Sequence, residues 1–166
     1  MPGQVQPIPQ GYHTVTPYLV VNDAAKAIEF YKRAFDAKEK FRMEGPPGKI
    51  GHAELQIGDS ILMVADEMPQ MDAKAPQSLG GTTAGIFLYV KDVDAVFNKA
   101  VGAGAKATMP VADMFWGDRY GKLMDPFGHS WSMATHIEDV APEEMQKRVR
   151  AEMAARQSGQ KTRTAG

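Results

Sequence analysis

His52 and Glu54 stand two residues apart in Ile50-Gly-His-Ala-Glu-Leu-Gln-Ile57. On a β-strand that spacing puts both side chains on one face. There an imidazole and a carboxylate can serve as a general base and its orienting partner, or as two ligands of a metal ion. A solvated polar strand face is the plainer reading of the same pair. Asp118 and His136 fall on a second predicted wall, and with His52 and Glu54 they form the only replacement ligand set that the chain offers. His13 reads as a residue near the mouth or outer face, and His129 as a turn residue. The chain has no Cys, which excludes disulfides, thiolate catalysis and Cys-zinc sites. No Ser-His-Asp order, phosphate loop or dinucleotide fingerprint is present.

Aromatic residues supply the rest of a candidate site. Tyr18, Phe87, Tyr89 and Trp116 share the phase of the polar candidates and could grip an apolar or cationic ligand by stacking and cation–π contact. An ordinary core is the alternative, above all for Phe87. Arg119 reads as a structural partner of Asp118 or Asp125, and Arg148 as part of a solvated helix face.

The elements that must position these residues occur twice. Thr16-Pro-Tyr-Leu-Val-Val-Asn-Asp23 and Gly85-Ile-Phe-Leu-Tyr-Val-Lys-Asp92 are apolar strands ending on an Asp that can cap the helix after it. Ile57-Gly-Asp-Ser-Ile-Leu-Met63 matches Phe127-Gly-His-Ser-Trp-Ser-Met133, at an offset one residue longer. A repeat of this length points to a duplicated half-domain rather than a solenoid. Each copy reads strand, helix, then further strands. The expected class is α+β, with two βαβββ modules forming a curved sheet cup plus an extra C-terminal helix. The expected boundaries are an extended arm over 1–12, modules over 13–68 and 85–140 joined by a linker over 69–84, a helix over 141–156 and a flexible tail over 157–166.

The first hairpin sets the faces. A three-residue loop Gly58-Asp59-Ser60 pairs Ile57 with Ile61, Leu55 with Met63 and Ala53 with Ala65, giving a wholly apolar helix side. His52, Glu54, Gln56, Leu62, Val64 and Asp66 then line the cup. A two-residue loop mixes polar and apolar residues on both faces, which makes it the poorer register. In the second copy Phe127, Trp131 and Met133 take the helix side. Trp116, Asp118, Tyr120, Lys122, Ser132, Ala134 and His136 take the cup side.

At 166 residues the chain can bury a core without staples, and its net charge of −1 gives no electrostatic attraction to nucleic acid or an anionic membrane. No apolar run approaches the roughly 18 residues of a membrane span. The start, Met1-Pro-Gly-Gln-Val-Gln, lacks the basic and apolar regions of a signal peptide, so the expected location is cytoplasmic.

Thr16–Tyr31, Gly85–Gly104 and the closing segment Gly117-Asp-Arg-Tyr-Gly…Asp125-Pro-Phe-Gly-His-Ser-Trp-Ser carry a resemblance to the vicinal-oxygen-chelate superfamily. This superfamily includes glyoxalase I, bleomycin-resistance proteins and extradiol dioxygenases. The chain looks closest to the glyoxalase-like subgroup associated with phosphonate operons. The resemblance implies paired modules whose sheets enclose a small-molecule site. It also implies a homodimer, with the cup completed or abutted by the partner. In the family's enzymes one His or Glu from each of four strands binds a metal. Counted from the strand-ending Asp, those positions fall on Thr16, Gly85, Leu62 and Ser132, none a good donor to a divalent cation. The expectation is therefore a metal-independent small-molecule binding protein of the glyoxalase/bleomycin-resistance type, with no cofactor. Its ligand-binding residues would be Thr16, Tyr18, Gln56, Leu62, Phe87, Tyr89, Trp116, Asp118, Ser132 and His136. The alternative is a glyoxalase-type lyase or isomerase with His52 and Glu54 as catalytic residues, with or without a non-standard metal site.

Overall fold

In the computed structural model, which describes residues 5–163 (side chains over 5–157), the two modules form two four-stranded sheets. The first contains β1 (Tyr18–Val21), α1 (Ala24–Phe35), β2 (Lys38–Glu44), β3 (Ile50–Ile57) and β4 (Ser60–Asp66). A 3-10 turn and a short helix, α2 (Pro76–Leu79), cross the linker. The second contains β5 (Gly85–Tyr89), α3 (Val93–Gly102), β6 (Lys106–Asp113), β7 (Asp118–Met124) and β8 (Ser130–His136), followed by α4 (Pro142–Arg163). The strand orders β1-β4-β3-β2 and β5-β8-β7-β6 are the same arrangement used twice, as the repeat predicts. The expectations for residues 1–4 and 164–166 lie outside the described residues.

The duplicated Asp does the same work in both copies. Asp23 accepts from the Lys26 N–H and Asp92 from the Ala95 N–H, each capping its helix. A second helix-start acceptor, which the sequence reading missed, also repeats. Asp66 accepts from the Ala24 N–H at 3.1 Å, and its counterpart Thr135 accepts from the Val93 N–H at 2.9 Å. Asp66 also takes the Ile50 N–H at 2.7 Å, so it is a buried structural acceptor and not a cup residue.

Each helix covers one face of its sheet, and α1 and α3 pack on each other at the seam. Leu19, Val21, Ala53, Leu55, Leu62 and Val64 are buried on the inner face of the first sheet, beneath Ile28 and Tyr31. The first hairpin therefore differs from the expected register. Ile57 pairs with Ser60, Gln56 with Ile61, Leu55 with Leu62 and Glu54 with Met63, across a two-residue Gly58-Asp59 turn. Gly58, at φ 58°, supplies its left-handed residue. Leu62 and Val64 consequently point to the helix. The open face mixes His52, Glu54 and Gln56 with Ile61, Met63 and Ala65. That mixture is tolerated because the face meets water only in part: Ile61 and Ala65 are buried there, while Tyr18, Phe41 and Met43 are exposed, and alternation selects a register strongly only where one side is wholly solvated.

At the C-terminus α4 runs to Arg163, beyond the expected end at Arg156, since no proline intervenes. Arg148 is an anchor rather than a solvated residue. It donates to both Glu138 carboxylate oxygens, at 2.7 and 2.8 Å, and to the Phe115 carbonyl at 3.1 Å. No described helix is long and apolar enough to cross a membrane.

Leu55 is fully buried, so Leu55→Ala should cost about 2–5 kcal/mol of stability. Urea unfolding checks this, and a loss under about 1 kcal/mol would place Leu55 outside the close-packed core.

Candidate functional site on the open sheet faces

The face of each sheet turned away from its helix carries the candidate residues. On the first sheet, β3 presents His52 and Glu54 together, as their spacing predicts. His52 Nε2 lies 3.2 Å from Glu54 Oε1, and His52 Nδ1 lies 3.1 Å from the Tyr18 hydroxyl. A carboxylate can only accept, so Nε2 carries a proton toward Glu54 and a neutral ring leaves Nδ1 to accept from Tyr18. The other Glu54 oxygen accepts from the Tyr12 hydroxyl on the N-terminal arm. That bond, assisted by His52, holds the Glu54 carboxyl below the usual range against the opposing effect of burial. The same contact raises the Tyr12 phenol. Around this line stand the rings of Tyr18 and Phe41, with centroids 5.4 and 6.3 Å from that of His52. Gln56 folds back onto the hairpin, donating to the Gly58 carbonyl at 3.2 Å.

On the second sheet Asp118 is the centre. Although almost fully buried, it accepts from His136 Nδ1 at 2.8 Å, Trp116 Nε1 at 3.1 Å and the Tyr89 hydroxyl at 3.2 Å. The second ring nitrogen of His136 reaches Asp139 at 2.9 Å. Hydrogen bonds to Asp139 and Asp118 raise the His136 imidazole above its ordinary value. Phe87 and Tyr120 complete the wall, Phe87 lying 4.9 Å from Tyr89 and 5.8 Å from Tyr120, and Trp116 5.7 Å from Tyr120. Ser132 bonds the Tyr120 hydroxyl at 2.8 Å.

The two polar clusters stay separate. No group of three or more His, Asp or Glu among the described residues is placed to hold a metal ion, so the proposed set of His52, Glu54, Asp118 and His136 does not assemble within the chain. The four family metal positions do not fit a metal either. Gly85 has no side chain, Leu62 is buried beneath α1, the Thr16 hydroxyl donates to the His13 carbonyl, and the Ser132 hydroxyl is engaged with Tyr120.

Leu62, expected in the cup, is instead on the inner face, because the two-residue turn shifts β4 by one position. Along with Thr16, Phe87 and Tyr89 it borders a cleft of about 610 Å³ near the seam, which His52, Glu54, Asp118 and His136 do not line. Arg119 pairs with neither Asp118 nor Asp125. Strand alternation turns it to Asp94, at 2.6 and 2.7 Å, and to Asp113 at 2.8 Å. His129 is more than a turn residue: its Nε2–H donates to the Val20 carbonyl of the first module at 2.9 Å. Tyr12, Phe41 and Asp139 were missed. The spacing of His136 and Asp139 is a usable signal for the last, whereas nothing local links Tyr12 to a strand forty-two positions away.

Comparison with known proteins agrees with this architecture. Residues 11–133 match the model of the Glyoxalase/Bleomycin resistance protein/Dioxygenase superfamily. The uncharacterized protein Mb0911c of Mycobacterium bovis is 48% identical over 135 residues, covering 80% of this chain and 89% of that protein. Among solved structures, TioX from Micromonospora sp. ML1 is 28% identical with a TM-score of 0.61, covering 75% of this chain and 99% of TioX. An Arabidopsis thaliana gene product is 29% identical with a TM-score of 0.60, over 74% and 98% of the two chains. With most of both modules matched and the duplicated fold in place, the chain belongs to the glyoxalase/bleomycin resistance protein/dioxygenase superfamily.

Proposed function

We propose that this protein binds a small organic molecule on the open faces of its sheets, without the metal used by the family's enzymes. One observation carries the reading: polar groups held by hydrogen bonds stand among large apolar side chains left uncovered. Tyr18 is 52% exposed, Phe41 50%, Met43 52%, Phe87 48% and Tyr89 67%. Exposed apolar area gathered around a few oriented polar groups is the composition of a ligand surface. Stacking on the rings would supply affinity. Glu54, His52 and Tyr18, preset by one another and by Tyr12, would select a ligand with matching donors and acceptors.

A second reading is favoured by the His52–Glu54 contact itself. With Glu54 fixing one ring nitrogen, the other, which accepts from the Tyr18 hydroxyl, could take a proton from a bound carbon or oxygen acid that displaces that hydroxyl, as a lyase or isomerase requires.

The open faces also bear on assembly. The seam uses the helix-covered sides of the two sheets, so the open faces lie away from it, and every ring contact on them stays within one module. A closed cup then needs a second copy, which would set the first sheet of one chain against the second sheet of the other.

His52→Ala and Glu54→Ala should each weaken ligand binding at least about tenfold, the loss expected when a buried polar contact is removed, with little change in melting temperature. A thermal-shift screen followed by calorimetry on the hits measures this, and wild-type affinity in both variants would remove the site. Light scattering at micromolar concentration should give twice the 18.1 kDa chain mass, and a monomer mass would contradict the two-chain cup. The raised His136 value predicts a stabilising contribution that is full below the ordinary imidazole range and is lost as pH rises through the raised value. The melting temperature of His136→Gln should therefore fall below wild type at about pH 5 and converge with it at about pH 9. A gap independent of pH would mean that the protonated ring is not what stabilises.

A further inference from the structure

The repeat makes a gap visible in the second module. Leu19 and Val21, on the inner face of β1, are 7% and 0% exposed, whereas their repeat counterparts Leu88 and Val90 on β5 are only half-buried. The covering helices differ as well. Where α1 places Tyr31 and Phe35, the matching positions of the second module hold Ala100 and, past the end of α3, Gly104. Protein interiors are close-packed, so two aromatic rings replaced by a methyl group and a hydrogen leave space unless a neighbour fills it. Tyr31 and Phe35 of the first module cross the seam to do so, their rings 5.3 and 4.5 Å from that of Trp131, and Ala100 is fully buried. Beside this packing lies a cleft of about 610 Å³, walled by Phe35, Ile57, Leu62, Leu88, Val96 and Trp131 and lying along the free edge of β5. That volume is within the range of about 300–1,000 Å³ typical of small-molecule sites.

The rim carries little unused polarity. Asp36 is paired with Lys99, the Ser60 hydroxyl donates to Asp59, and the Thr16 hydroxyl to the His13 carbonyl. The His13 ring is the one polar side chain of the rim without a side-chain partner among the described residues. We infer that this cleft, which borders the open faces at Ile61, Phe87 and Tyr89 but reaches none of His52, Glu54, Asp118 and His136, is a second binding site, for a neutral and largely apolar small molecule. A charged ligand would lose its hydration against aliphatic walls and find no opposite charge free to replace it.

The two tryptophans make the site testable, since Trp131 lines the cleft and Trp116 stands on the open face. In Trp116→Phe protein, titration with the neutral dye N-phenyl-1-naphthylamine should give saturable energy transfer from Trp131, at one dye per chain. Leu88→Phe and Val96→Phe, each made in that background to fill the cleft, should weaken the transfer at least tenfold and leave the melting temperature equal or higher. Two cleft-filling variants are used so that one that fails to fold does not decide the outcome. His52→Ala should leave dye binding unchanged. Absence of saturable transfer overturns the inference, as does transfer that survives in a folded cleft-filled variant. Transfer lost in His52→Ala but kept in Leu88→Phe would put the dye on the open face, overturning the second site while leaving the first intact.

Discussion

The Asp125 carboxylate is buried at the seam, and the placement of everything else depends on it. A buried carboxylate is costly unless its oxygens are hydrogen-bonded. Asp125 accepts from the Phe127 and His129 N–H groups, both at 2.9 Å, which fixes the Asp-Pro-Phe-Gly turn. It also accepts from Trp131 Nε1 at 2.9 Å and from the Tyr31 hydroxyl at 2.8 Å. Trp131 belongs to the second sheet and Tyr31 to the first module's helix, so one charge clamps the turn, a sheet and the opposite module. Burial first, and then the carboxylate, push the Tyr31 phenol well above its ordinary value and keep it a donor. His129, held by the same turn, adds its bond to the Val20 carbonyl. The helices meet because of this clamp, and the open faces are left free because the helices meet.

Asp118 repeats the device in an open setting. It too is a nearly buried acceptor for an indole and a phenol, but its third donor is an exposed imidazole rather than a pair of backbone amides. One carboxylate therefore serves architecture. The other orients Trp116, Tyr89 and His136 on a surface with no internal partner.

Much of the architecture was legible in the sequence because it is written twice. The two capping aspartates, the matched hairpins and the phase of Trp131 and Met133 placed both modules, and the alternation around His52, Leu55 and Glu54 assigned β3 correctly. The error was confined to β4. An amphipathic rule chose a three-residue turn because it assumed one wholly apolar and one polar face, whereas the open face mixes buried Ile61 and Ala65 with polar and exposed residues. Residues whose partners come from distant segments were less legible. Arg119 was assigned to Asp118 or Asp125, and only the fold selects Asp94 and Asp113. Tyr12 lies in an arm with no periodicity, and its bond to Glu54 is a tertiary fact. The seam cleft was invisible for a related reason, since its walls come from the N-terminal arm, the first module and the second, which only the fold brings together.

Family membership explains the frame, while the site decides the chemistry. Here the resemblance assigns the family's four ligand positions to Thr16, Leu62, Gly85 and Ser132, while the polar clusters of the open faces lie at His52–Glu54 and Asp118–His136. The central claim, that these faces receive the ligand, is tested most directly by side-chain NMR of the 166-residue protein. The His52 ring and the Trp116 indole would be followed during titration with cationic aromatic fragments, which the aliphatic seam cleft would not admit. The account predicts that a fragment which binds saturably moves both signals along one binding curve. Saturable binding that leaves both signals unmoved would contradict it.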